Sequence, residues 1–134
     1  MSSEVRIYKG HYTSGSAVWT FADNRLYSGH YASGTAVYCF DNGRIYKGHY
    51  ASGSAIANFD KDRIYNGHYA SGTSEWCVKD NRIYAGHYAS GTAEYCIDGG
   101  RIFEGHYASG SAIACVDKAR DLPLYVLAFV ATLF

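Results

Sequence analysis

The chain has 134 residues, of which 48% are hydrophobic, and its 12 basic side chains balance 12 acidic ones. That length suits one domain, and the neutral balance lacks the electrostatic footprint of a nucleic-acid binder or of a polybasic patch for an anionic membrane. With 14 Tyr, 6 Phe, 2 Trp, 15 Gly and one Pro, the composition favours strands and turns over helices.

The N-terminal stretch "MSSEVRIYKG" has no apolar signal-peptide core. A cytoplasmic location is therefore expected, with Cys39, Cys77, Cys96 and Cys115 as free thiols. From Arg6 onward a 19-residue unit recurs six times. Arg stands at 6, 25, 44, 63, 82 and 101, and His at 11, 30, 49, 68, 87 and 106. The unit reads Arg-Ile-Tyr-x-Gly-His-Tyr-Ala-Ser-Gly, then a variable apolar stretch, then an Asp-containing turn. Its two turn signals separate two runs rich in Tyr, Ile, Val and Phe, which gives two strands per unit and about twelve in all.

A longer period lies beneath. One column reads Trp19, Tyr38, Ala57, Trp76, Tyr95, Ala114, and the turns follow the same order. Residues 6–62 are thus duplicated as 63–119, either through gene history or because three units complete one geometric turn. After the repeats, "LPLYVLAFVATLF" is apolar on every side but too short to span a bilayer. Residues 120–134 are read as a hydrophobic cap, helical in form, on the last repeat. Filling the hollow of a curled sheet and forming a dimer contact are the alternatives. The whole chain, 1–134, is one repeat domain.

Alternation assigns the faces. Arg6, Tyr8, Gly10 and Tyr12 share one side of the first strand, and Ile7, Lys9 and His11 the other. In the second strand Ala17, Trp19 and Phe21 lie together. The better buried face is expected to hold both Tyr columns, the Gly column and the Ala, Trp/Tyr and Phe/Val columns.

The run Tyr46-Lys47-Gly48-His49-Tyr50-Ala51-Ser52-Gly53 resembles the Tyr-x-Gly-x-aromatic-x-x-Gly signature of MORN repeats, and Tyr38 to Tyr46 resembles their strand, Asp-Gly turn and next Tyr. The likeness covers all six units, although MORN units have a longer loop after Ser-Gly and a Gly-x-Gly in the second strand that is missing here. The unit is also similar to short bacterial tandem repeats of the Tyr-x-Gly-basic-Tyr-x-Ser-Gly kind. The resemblance implies stacked antiparallel hairpins and roles in scaffolding, partner binding or lipid binding rather than catalysis.

The expected fold is all-β: an elongated or curled stack of six two-stranded units, either MORN-like antiparallel hairpins or a parallel β-solenoid. Strict repeat length favours the solenoid; the crowding of two Tyr, a Trp and a Phe per coil favours hairpins. Cysteine bridging within the column is incompatible with hairpins.

The six His form a row that does not converge as metal ligands must, so hydrogen-bonded imidazoles are expected and no metal site. Grouped His would still titrate together below neutral pH. The Arg column follows the Asp-bearing turns, and a ladder of Asp–Arg ion pairs is expected, with a phosphate-binding stripe as the functional alternative. The Ser/Thr column reads as turn chemistry. No Gly-x-Ser-x-Gly motif, acid pair at a cleft or phosphate loop is present, so the chain is read as non-enzymatic and without a cofactor.

The expected function is a structural scaffold that binds another macromolecule, a protein, through an aromatic-rich face, a Tyr stripe edged by His and Arg. Its binding residues would be Tyr12, Tyr31, Tyr50, Tyr69, Tyr88, Tyr107, Trp19, Trp76, His49 and His68. The alternative is a small-molecule or glycan binder that uses Tyr and Trp as stacking platforms. Neither nucleic acid nor a membrane span is expected, and a homodimer through the C-terminal segment is a further option.

Overall fold

Five of the two-residue turns in this chain have both central residues at positive φ: Asp23-Asn24, Asn42-Gly43, Lys61-Asp62, Asp80-Asn81 and Gly99-Gly100. Such type I′ turns match the right-handed twist of strands and enforce tight hairpins. In the computed structural model, which describes residues 4–134, they join β2 (Trp19–Ala22) to β3 (Arg25–Ser28), β4 (Tyr38–Asp41) to β5 (Arg44–Lys47), β6 (Ala57–Asp60) to β7 (Arg63–Asn66), β8 (Trp76–Lys79) to β9 (Arg82–Ala85) and β10 (Tyr95–Asp98) to β11 (Arg101–Glu104). The sheet begins with β1 (Val5–Lys9) and ends with β12 (Ala114–Val116).

All neighbours pair antiparallel in chain order, and β12 returns to β1, so the twelve strands close into a barrel. The closing register, Ile7↔Val116, Tyr8↔Cys115 and Lys9↔Ala114, copies the internal one, Leu26↔Phe21, Tyr27↔Thr20 and Ser28↔Trp19. No turn joins β12 to β1. Asp117 bridges them instead: its carboxylate accepts from the Arg6 N–H at 2.9 Å and its own N–H donates to the Arg6 carbonyl at 3.1 Å. Hairpins are thus the correct unit, and the parallel solenoid is overturned. Neither an elongated nor an open curled stack is found, because closure removes both sheet edges. Three units span half of the ring, not one turn.

The lumen is lined by Ile7, Leu26, Ile45, Ile64, Ile83 and Ile102, each at most 3% exposed, with Phe21, Phe40, Val78, Ile97 and Val116 opposite them. A twelve-stranded ring is too wide for strand side chains alone to fill; eight strands leave an interior just filled by them. The C-terminal segment supplies the missing volume. After a 3-10 turn at Ala119–Asp121, helix α1 (Leu124–Ala131) enters from the tight-turn end, and its residues 126–131 are all buried in the same core as the Ile column. Tyr125 lies against Phe40 and Phe59, while Phe129 sits edge-on to Tyr38 at 5.1 Å. The expected cap gives way to the alternative that fills the hollow: the segment is helical and plugs the barrel, since a closed ring has no terminal repeat to cover. Eight residues of helix rise about 12 Å, close to the roughly 13 Å of a four-residue strand. So short a helix is marginal alone, and burial of its whole circumference holds it.

The outer face has a second layer. The segment after Gly10, and its counterpart in each unit, lies outside the strands, and the small residue near its end, such as Ala55, is buried on the outer face. Tyr46 packs there with Cys39 and Ala55, Tyr84 with Cys77 and Ala93, and Phe103 with Cys96 and Ala112. The face assignment is corrected accordingly. Ile7 shares the lumen with Trp19 and Phe21, whereas the Tyr8 column is buried on the outside and the Tyr12 column is not buried at all. The physical reason is Gly10, whose φ of +93° turns the chain out of the strand after Lys9 and ends the alternation.

Candidate functional site

Each hairpin boundary carries the same outer station, built from two neighbouring units. The loop after β3 places His30 so that its Nδ1 accepts from the Ala17 N–H at 2.9 Å, and its carbonyl accepts from Arg6 Nε at 2.7 Å. Because a backbone N–H only donates, Nδ1 is unprotonated and the imidazole proton lies on Nε2. The Arg6 guanidinium lies 5.8 Å from the centre of the Tyr31 ring, within cation–π range. Tyr31 meets its own His30 edge-on at 4.9 Å, while Tyr8 of the preceding unit meets His30 from the other side at 6.1 Å.

The station repeats six times with little variation. Arg Nε to His carbonyl distances run from 2.7 to 2.9 Å, and N–H to His Nδ1 distances from 2.9 to 3.0 Å. The sixth is completed across the seam by Arg101 and Ala112 on His11, with Arg101 over Tyr12. The expected Asp–Arg ladder is overturned. Asp41 and Arg44 are cross-strand partners, yet Arg44 reaches forward to the His68 carbonyl and the Tyr69 ring. Among the described residues the one ion pair within 4.0 Å is Arg6 with Glu4, at 2.8 Å.

The expected binding residues are divided by the barrel wall. Tyr12, Tyr31, Tyr50, Tyr69, Tyr88 and Tyr107 ring the outside and are 66–68% exposed. His49 and His68 stand beside Tyr50 and Tyr69, half-buried and engaged through Nδ1. Trp19 and Trp76 lie on the other side of the wall. They pack against the lumen core, with ring centres 6.2 and 6.1 Å from Tyr38 and Tyr95. The Tyr and Trp columns therefore cannot act on one ligand.

Sequence reasoning set Arg at the edge of the Tyr stripe without its contacts, and it missed a second feature. The Arg column belongs to the station, and its signal was present in the fixed register between each Arg and the following His-Tyr pair. The other feature is a pair of hollows beside the end of α1, about 430 Å³ and 260 Å³ in volume. They open at the barrel mouth opposite the tight turns.

The four cysteines are free and buried. Burial pushes the thiols of Cys39 and Cys115 above the ordinary 9.0, against the opposing pull of Arg25 and Arg101. Where the column holds another residue, its polar atom is bonded: Thr20 Oγ1 donates to the Gly29 carbonyl at 2.8 Å and Asn58 Nδ2 to that of Gly67 at 2.9 Å. No group of three or more His, Cys, Asp or Glu that could hold a metal ion occurs among the described residues. No helix among them is long and apolar enough to cross a membrane.

Residues 7–124 match the family model described as "6-fold beta flower protein". Neither the curated proteins nor the solved structures contain a match to this chain.

Proposed function

The chain belongs to the 6-fold beta flower family, and on that premise we propose that it is a non-enzymatic scaffold that binds another macromolecule, a protein, through the outer ring of tyrosines. One observation carries the reading: six large aromatic side chains remain 66–68% exposed while every other Tyr of the repeat is buried or partly buried. Tyr and Arg are the residue types most often found as interface anchors. Here each Tyr is held between an Arg and a His, so little side-chain entropy is lost when a partner covers it. Six equivalent stations on one rigid ring also allow several weak contacts to act together, provided the partner is itself repetitive or multivalent. A cytoplasmic location, where the four thiols stay reduced, is part of the proposal.

The alternative is a glycan or small-molecule binder at the same stations. The exposed Tyr face favours it, because a ring backed by a guanidinium is a stacking platform. Immobilised wild-type protein and a variant with all six exposed Tyr changed to Ser would be compared for capture from native lysate and for binding to a glycan array. Protein captured by the wild type alone supports the scaffold; glycan binding alone supports the second reading. Equal capture by both chains, with both folded by circular dichroism, removes the tyrosine ring from the function.

A further inference from the structure

The lumen column that reads Trp19, Tyr38, Ala57, Trp76, Tyr95, Ala114 surrounds the end of α1. Four of its positions fill their sector with a ring, and two are Ala. Beside Ala57 the wall stands away from the helix, and a second hollow opens at Ile113, the chain neighbour of buried Ala114. One hollow lies between Ala57, Trp76 and Phe129, and the other between Tyr95, Ile113 and Phe134. Ala57, with no ring to fill its sector, thus lines the first hollow.

We propose that the hollow at Trp76 is a binding site for a small organic cation, an alkylammonium head on a short apolar body. It is separate from the outer tyrosine ring and does not depend on it. Apolar Ile56, Ala57, Ile64 and Phe129 line it together with Trp76, and the acidic Glu75 and polar Asn66 stand among the lining residues. An indole face and a carboxylate both attract a cation and have no such attraction for an anion. Among the described residues no Lys or Arg lines this hollow. Its volume of about 260 Å³ equals roughly nine waters at about 30 Å³ each, enough for a quaternary ammonium and a few carbons.

The second hollow serves as an internal control. Lys9 lines it and occupies the repeat column in which Asn66 stands at the first, while the Glu75 column holds Val18 in the first unit. Glu104 lines it as well, so an entering cation meets an ammonium and a carboxylate together and finds no net charge to hold it; one equivalent binds per chain.

The test uses the full chain with Trp19→Phe, so that indole emission reports Trp76 alone. Choline is titrated at constant ionic strength against 3,3-dimethylbutan-1-ol, its neutral isostere, and calorimetry counts the sites. The expected result is saturable quenching by choline with one site, and an alcohol that binds at least about tenfold more weakly. Glu75→Gln, at an exposed position, weakens choline by roughly tenfold and leaves the alcohol unchanged. Absence of saturation, equal binding of choline and the alcohol, or an unchanged choline affinity in Glu75→Gln with the fold intact by circular dichroism would each overturn the proposal.

Discussion

Arg101 Nε donates to the carbonyl of His11 at 2.8 Å, across 90 residues of sequence, with the geometry that Arg44 uses towards His68 at 2.9 Å only 24 residues away. The seam between the last unit and the first is therefore bonded like any interior boundary. Arg101→Ala removes this bond and the contact with Tyr12, and should cost about 1–3 kcal/mol. Arg44→Ala should cost the same within about 0.5 kcal/mol, because the two stations are equivalent and distant. Urea unfolding of both variants checks this, and a harmless Arg101→Ala beside a costly Arg44→Ala would mean a weak seam.

His49 is a structural acceptor. His49→Ala leaves the N–H of buried Ala36 without its partner at 3.0 Å, with an expected loss of about 1–3 kcal/mol. His49→Asn, whose amide oxygen can accept, should recover part of it. Denaturant midpoints of the two variants decide the point; equal losses would show that the ring is held by packing alone.

Much of this fold was legible beforehand. The Asp-containing letters between the apolar runs marked turns, and from them came two strands per unit; that the turns are two-residue and at positive φ came from the structure. Twelve strands in one sheet tend to curl or close, but which of the two occurs was not legible, because it depends on how curvature accumulates over six hairpins rather than on any residue. The face of Ile7 was misread because both Tyr8 and Tyr12 suit a buried position, and alternation was carried through Gly10, where the chain turns away. The tyrosines of the candidate site were visible as a column. Their separation from Trp19 and Trp76 needed the register Ile7↔Trp19, which puts the Trp side chains in the lumen. Arg44 was assigned to Asp41 on sequence distance, whereas the loop of the next unit brings the His68 carbonyl within reach of its guanidinium.

The plug should be as necessary as the strands. Phe129 is buried and touches Tyr38 and Phe40 edge-on, so Phe129→Ala should cost about 3–5 kcal/mol. Val130→Asp, at a position with 0% exposure, should abolish the cooperative unfolding transition. Thermal unfolding followed by circular dichroism reads both, and a stable, cooperative Val130→Asp would show that the helix can leave the lumen.

Alkaline pH should weaken the fold. Burial, reinforced by the charge of Asp41, holds the Tyr125 phenol above its ordinary 10.0, as burial holds the Cys39 and Cys115 thiols above 9.0. Each group keeps its proton to higher pH when folded than when unfolded. Its contribution is fully present below the unfolded value and is lost as pH rises through the folded one. The melting temperature should hold steady to about pH 9 and fall above it. Replacing Cys39 and Cys115 by Ala and Tyr125 by Phe should flatten that fall; an identical profile in the triple variant would assign it elsewhere.

Ring closure underlies both the six equal stations and the filled lumen, and one amide reports on it. Gly10 N–H donates to the Ile113 carbonyl at 2.8 Å across the seam, as Gly29 N–H does to Val18 at 2.8 Å inside the sheet. Native-state hydrogen exchange followed by NMR should find Gly10 protected to the same degree as Gly29, Gly48, Gly67, Gly86 and Gly105. Rapid exchange at Gly10 beside slow exchange at the other five would mean an open sheet with two free edges, and the account would be wrong.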